Sequence, residues 1–103
     1  MNVVGWDIGG VHLKAARAEN GRIVDALQVA APLRAGLEPL QNAFGVAKAR
    51  MGQAGVHVVT MTAELADTFA SRAEGVARIA ALAARELGEA ALLYAGRAGF
   101  VAI

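Results

Sequence analysis

The 103 residues predict an α/β fold: a mixed sheet of about five strands covered by two helices. Three observations point there. The first thirty residues carry a strand pattern broken by glycine turns, the period changes to a helical one at Leu37, and a β-branched run returns once that helix has ended.

Asn2–Ile8 is short and rich in Val, Trp and Ile, the composition of a strand buried on both faces. Val11, Leu13, Ala15 and Arg17 then alternate with His12, Lys14, Ala16 and Ala18. Asn20-Gly21 separates this run from residues 22–29, and Asn-Gly between two such runs is a strong hairpin signal. The start of the chain thus reads as a three-stranded antiparallel meander with Gly9-Gly10 at its first turn. Pro32 ends the strand pattern. Leu37, Leu40, Phe44, Ala47 and Met51 recur at three- and four-residue steps, one side of a helix. Gly45 within it costs about 1 kcal/mol relative to alanine, and Gly52 and Gly55 bracket its stop.

Val56–Met61 follows that helix, which predicts a strand entering the sheet in parallel. Ser71-Arg72-Ala73-Glu74 has the form of a capping box. The helix it opens carries Val76, Ile79, Ala80, Ala83 and Leu87 on one face and closes at Gly88. Residues 90–95 form a further apolar run, giving the order β-β-β-α-β-α-β.

Composition narrows the function classes. At 56% hydrophobic and 18% charged, the chain is not globally disordered. Its alanine content predicts closely packed helices rather than a core of large side chains. A net charge of +1 without a basic block argues against nucleic acid as a partner. The absence of cysteine excludes disulfides, thiolate nucleophiles and zinc ribbons. His12 and His57 fall on different elements, without metal-ligand spacing. Asp7, Lys14 and Arg17 break the apolar runs well short of the roughly 20 residues of a membrane span, and the first residues carry no basic stretch. The expectation is a cytoplasmic protein with no membrane partner.

Three segments have the residue types of a site. Gly9 and Gly10 allow positive φ, close backbone approach and amide donors aimed at an anion, and Asp7 before them suits a magnesium ion held through water. The alternative is a plain hairpin, with Lys14 either a phosphate-binding cation or a solvated strand residue. Thr60, Thr62, Glu64 and Asp67 group hydroxyls and carboxylates after a predicted strand, where ligands gather in open α/β sheets. Glu64 or Asp67 would be the general base there and the threonines would bind a polar substrate; the alternative is a helix N-terminus with its cap. Arg97 between Gly96 and Gly99 either meets an anionic ligand or is a solvated residue of a turn.

The stretches "GWDIGGVHLKAA", "VTMTAELADTFASRAEGV" and "LLYAGRAGFV", in this order, resemble the hydantoinase A/oxoprolinase-like proteins of the tetrahydromethanopterin-linked C1-transfer pathway, a branch of the sugar kinase, actin and hydantoinase superfamily. The resemblance extends from Asn2 to about Val101 and implies a ribonuclease-H-like fold. It also implies a transferase or hydrolase of pterin- or methanofuran-linked one-carbon metabolism that binds a phosphorylated small molecule or ATP with Mg2+. By position, Asp7 becomes the magnesium-linked carboxylate, Gly9 and Gly10 the phosphate-facing amides and Lys14 a nearby cation. Thr62, Glu64 and Asp67 border the substrate cleft, with Glu64 and Asp67 as catalytic candidates and Arg97 as a substrate contact.

Two departures qualify the match. Val11 stands where many superfamily members place a phosphate-binding Thr or Ser, so the grip rests on backbone amides. Relatives run to several hundred residues, so residues 1–103 are expected to be a truncated N-terminal lobe, inactive alone and lacking a second phosphate loop, a hinge and an adenosine pocket. Two other readings stand beside this one: a catalytically silent lobe that self-associates or docks on a missing second lobe, and an ATP-dependent amide-ring hydrolase.

Overall fold

The computed structural model describes residues 1–62, 70–88, 90–94 and 98–103. Its strands are β1 (Asn2–Ile8), β2 (His12–Glu19), β3 (Arg22–Ala30), β4 (Val56–Met61), β5 (Leu92–Tyr94) and β6 (Phe100–Ala102). Two helices, α1 (Glu38–Met51) and α2 (Arg72–Leu87), complete the architecture, with a short 3-10 turn at Leu33–Ala35. The six strands form one mixed sheet in the order β3-β2-β1-β4-β5-β6. β1 lies inside it, antiparallel to β2 and parallel to β4, and β5 extends the parallel half. An antiparallel trio continued by parallel strands is the ribonuclease-H-like α/β arrangement expected.

One face of the sheet carries the core. Val4, Trp6 and Ile8 of β1 meet Leu13 and Ala15 of β2 and Val59 of β4, and α1 covers them with Leu40, Ala43, Phe44, Ala47 and Met51. α2 adds Ile79, Leu82 and Ala83. The Trp6 and Phe44 rings lie 5.2 Å apart, and Phe44, Ile8, Leu13, Leu33, Leu40 and Met51 are fully buried. Large side chains therefore fill this core, with alanines where helix backbones approach the sheet. The opposite face is open: Val3, Gly5 and Asp7 are half-buried, not buried as expected, because no element among the described residues lies over them.

Local chemistry accounts for the helix ends. Ser71 is the N-cap of α2, its Oγ accepting from the Glu74 amide at 3.1 Å. The apolar face of α2 is rotated from the expected one, with Gly75 and Leu82 buried and Val76, Ala80 and Leu87 half-buried. α1 begins one residue after Leu37, with Pro39 in its first turn, where a missing amide costs nothing. Gly52 at its far end adopts φ 73°, a conformation that glycine reaches without a Cβ penalty. The sixth strand is an addition: residues 98–103 return antiparallel to β5, where the sequence suggests only a turn.

Arg17 is an inward-facing cation on β2. Its Nη1 donates to the carbonyls of Met51, at 2.8 Å, and Gln53, and its Nε donates to Glu19. It thereby satisfies carbonyls that the end of α1 leaves without intrahelical partners. Lys48 performs a similar task between the helices, donating to the Glu86 carbonyl at 2.9 Å and pairing with its carboxylate. Replacing Arg17 with Met keeps the stem and leaves a half-buried carbonyl unpaired. Urea unfolding of Arg17→Met is expected to show a loss of about 1–3 kcal/mol, against a change within about 0.5 kcal/mol for a solvent-facing substitution such as Arg34→Met.

Candidate functional site

Successive strand residues point to opposite faces, so the register names the open face row by row. At the C-terminal ends of β1 and β4, Asp7 stands opposite Lys14 on one side and Thr60 on the other, and Lys14 stands opposite Gln28 of β3. With strands about 4.8 Å apart, these four polar side chains form a line across four strands. The Thr60 hydroxyl donates to Asp7 Oδ1 at 3.4 Å. Lys14 is exposed and has no ion-pair partner among the described residues. Gly5, Ala16, Ala26 and Val58 form an apolar floor beside the line, and together these residues line an open groove of about 640 Å³.

The β1–β2 turn lies at the same end of the sheet. Gly9 N donates to the His12 carbonyl at 3.0 Å, so the tip is Gly10 and Val11, one residue later than expected. Positive φ is not what the glycines supply, since neither Gly9 nor Gly10 adopts it. Gly9 instead provides space, because a Cβ there would lie 3.3 Å from the His12 carbonyl oxygen and 4.0 Å from the Thr62 hydroxyl. A Cβ at Gly10 would meet nothing within 4 Å. With the Gly9 amide occupied inside the hairpin, the amides of Gly10 and Val11 are the turn's open donors among the described residues. Their carbonyls accept from Leu33 N at 3.0 Å and Ala31 N at 2.7 Å, which fixes the turn against the segment after β3.

Asp7, Gly9, Gly10, Lys14 and Thr62 therefore converge on one end of the sheet. Thr62 is exposed, and its amide donates to the Ile8 carbonyl at 3.0 Å. Glu64, Asp67 and Arg97 lie outside the described residues. Gln28 was not legible as a site residue, because only the β2–β3 register reveals its place beside Lys14. Among the described residues no group of three or more His, Cys, Asp or Glu gathers to ligate a metal. A magnesium ion that keeps most of its waters needs only one or two carboxylates, and the half-buried Asp7 at the lip of the groove fits that role. No helix among the described residues is long and apolar enough to cross a membrane.

No family model matches the chain, and no curated protein matches it. Among solved structures it is similar to the Ppx/GppA enzyme of Aquifex aeolicus in two determinations. Both share 16% identity over 90% of this chain, with TM-scores of 0.45 and 0.44. The chain spans about a third of that protein's length, 35% and 34% in the two cases. A likeness of this size assigns no activity here.

Behind the polar line, on the core face of β4, His57 makes a contact absent from the sequence reading. Trp6 Nε1 donates to its Nδ1 at 3.0 Å, and the two rings lie 6.0 Å apart. The acceptor nitrogen is unprotonated, so this contact selects the neutral imidazole. Burial, helped by the nearby Lys48 charge, holds the His57 pKa below its ordinary 6.5. Because the unfolded chain takes up this proton at a higher pH than the folded one, the contribution is complete above 6.5 and declines as pH falls below it. Thermal unfolding from pH 7.5 to pH 5.5 is expected to show a falling midpoint in the native sequence and a shallower slope in His57→Gln.

Proposed function

We propose that the chain is the phosphate-binding lobe of an enzyme acting on a phosphorylated small molecule or an Mg-nucleotide. The supporting observation is the convergence of the open Gly10 and Val11 amides with Asp7 and Lys14 at one end of the sheet. Amides on a turn offer donors in a fixed geometry, the ammonium of Lys14 adds a mobile charge, and Asp7 would hold Mg2+ through water. Such an ion would neutralise phosphate charge and orient the phosphate group. Thr60 and Thr62 supply hydroxyls at the edge of the same site.

The finer reading is that this lobe belongs to a hydantoinase/oxoprolinase-like enzyme of tetrahydromethanopterin- or methanofuran-linked one-carbon metabolism. Three stretches of sequence support it: the first contains the turn, the second begins within β4 and the third contains β5. Glu64 and Asp67 follow Thr62 in the chain and remain the candidates for proton transfer, with Arg97 as a substrate contact. A single lobe binds its ligand weakly, because both halves of a two-lobe cleft are needed to fix it in place.

Gly10→Ala is the informative variant, since its Cβ enters open space in the free protein. Its stability is expected to stay within about 0.5 kcal/mol of the parent chain, while the added methyl obstructs a ligand approaching the amide. Amide chemical shifts recorded with Mg-ADP and with inorganic phosphate should move at Gly10 and Val11 at millimolar ligand. Those changes should weaken at least tenfold in Gly10→Ala, and the magnesium-dependent part should disappear in Asp7→Asn. Shifts absent from the turn, or unchanged in both variants, would overturn the phosphate reading.

A further inference from the structure

The shortest dimension of the molecule is 19 Å, against 40 Å and 29 Å for the others. That thickness corresponds to one sheet with one helical layer, since packed layers lie about 10 Å apart. Among the described residues, one broad side is therefore bare sheet. The accessible surface is 5919 Å², where a folded monomer of this mass has about 5,500 Å².

The register resolves this face into rows that run across the strands. The first is the polar line Gln28, Lys14, Asp7 and Thr60, which continues level with Tyr94 and Phe100. The second is apolar throughout: Ala26, Ala16, Gly5, Val58, Leu92 and Ala102. A third holds Ile23, Ala18, Val3 and Val56. Along the first two rows, height is unevenly distributed. The β1–β3 half is a trough floored by glycine and alanine, whereas Tyr94 and Phe100 form a ridge at the other side, their rings edge to face at 5.5 Å. These aromatic side chains are 51% and 48% exposed.

We propose that a second copy of this chain packs on the open face, about a two-fold axis parallel to the strands and lying between β1 and β4. The sheet order makes the face self-complementary about that axis, which exchanges β1 with β4, β2 with β5 and β3 with β6. The partner's Leu92 then lies over Ala16 and the partner's Val58 over Gly5, so large side chains meet small ones in the central row. The partner's Tyr94 and Phe100 enter the groove over Lys14 and Gln28, where the tyrosine ring faces an ammonium that has no ion-pair partner among the described residues. Such an interface is isologous, so each contact occurs twice.

The area suits a reversible dimer. A face of about 30 Å by 20 Å buries roughly 1,200 Å² over both copies, the lower end of stable interfaces. This inference does not rest on the phosphate reading; the two share Asp7 and Lys14, which a second copy covers, so a ligand held at those side chains and the dimer exclude each other.

Sedimentation of the purified chain over the micromolar range tests it, with Ala26→Glu as the disrupting variant and Val46→Glu as the control. Both positions are exposed, but Val46 lies on α1, away from the sheet face. The native chain is expected to move from monomer to dimer mass, with dissociation at least tenfold weaker in Ala26→Glu and unchanged in Val46→Glu. The chain has no cysteine, so the axis itself is open to cross-linking. Copies carrying Tyr94→Cys, mixed with copies carrying Lys14→Cys and treated with a short bis-maleimide, should join to each other in preference to themselves. A bridging reagent is needed because facing sheets hold Cα atoms beyond the roughly 7 Å limit of a disulfide. A monomer at all concentrations, equal weakening by both glutamates, or like-with-like cross-linking would overturn the proposal.

Discussion

The strand Asn2–Ile8 is hydrogen-bonded along both edges, to β2 in antiparallel register and to β4 in parallel register, and the rest of the structure depends on that double pairing. Trp6 and Asp7 are neighbours in the chain, yet the strand sends them to opposite faces. Trp6 enters the core, stacks near Phe44 and donates to His57, which joins β1 to α1 and β4 by side chains as well as by backbone. Asp7 takes its place in the polar line on the other face. A one-residue slip of β1 would exchange the two, burying a carboxylate and exposing an indole. The same register thus fixes the core and the candidate site.

Among the described residues, the helical layer consolidates this arrangement from one side only. Arg17 and Lys48 each carry a cation to carbonyls at or near a helix C-terminus, where the backbone lacks partners and the helix dipole favours positive charge. Arg50 and Asp25 form a two-pronged pair between α1 and β3, and the bonds from Arg50 hold the Asp25 carboxyl below its ordinary pKa. That pair lies at the surface and contributes little to stability. The open face has no such cover among the described residues, so its side chains are available either to a ligand at the turn end or to a second layer across its rows.

Much of the fold was legible because its signals are local. Asn20-Gly21 marked a hairpin, and the structure places Asn20 at φ 51° and Gly21 at φ 80° there. Ser71 and Glu74 marked a helix start, and Leu40, Phe44, Ala47 and Met51 marked a buried face. What was not legible depends on distance. Trp6 and His57 are 51 residues apart, and Arg17 reaches carbonyls 34 and 36 residues away, so no spacing rule connects them. Phe100–Ala102 is too short for a periodicity to register. In the candidate site, Asp7 and the two glycines were legible by type, but which amides are free was not. Gly9 is used for space and Gly10 leaves its donor open, a division set by the His12 carbonyl and visible only in the folded hairpin.

Amide-resolved hydrogen exchange on the free chain tests the central claim most directly, because it reads the double pairing of β1 and the open turn together. Trp6 and Ile8 should exchange only through global opening, with the Gly9 amide protected by its bond to His12, while Gly10 and Val11 should exchange at nearly the rate of unstructured peptide. Fast exchange along β1, or protection at Gly10 and Val11 equal to that of Gly9, would contradict both the central strand and the open donors beside it.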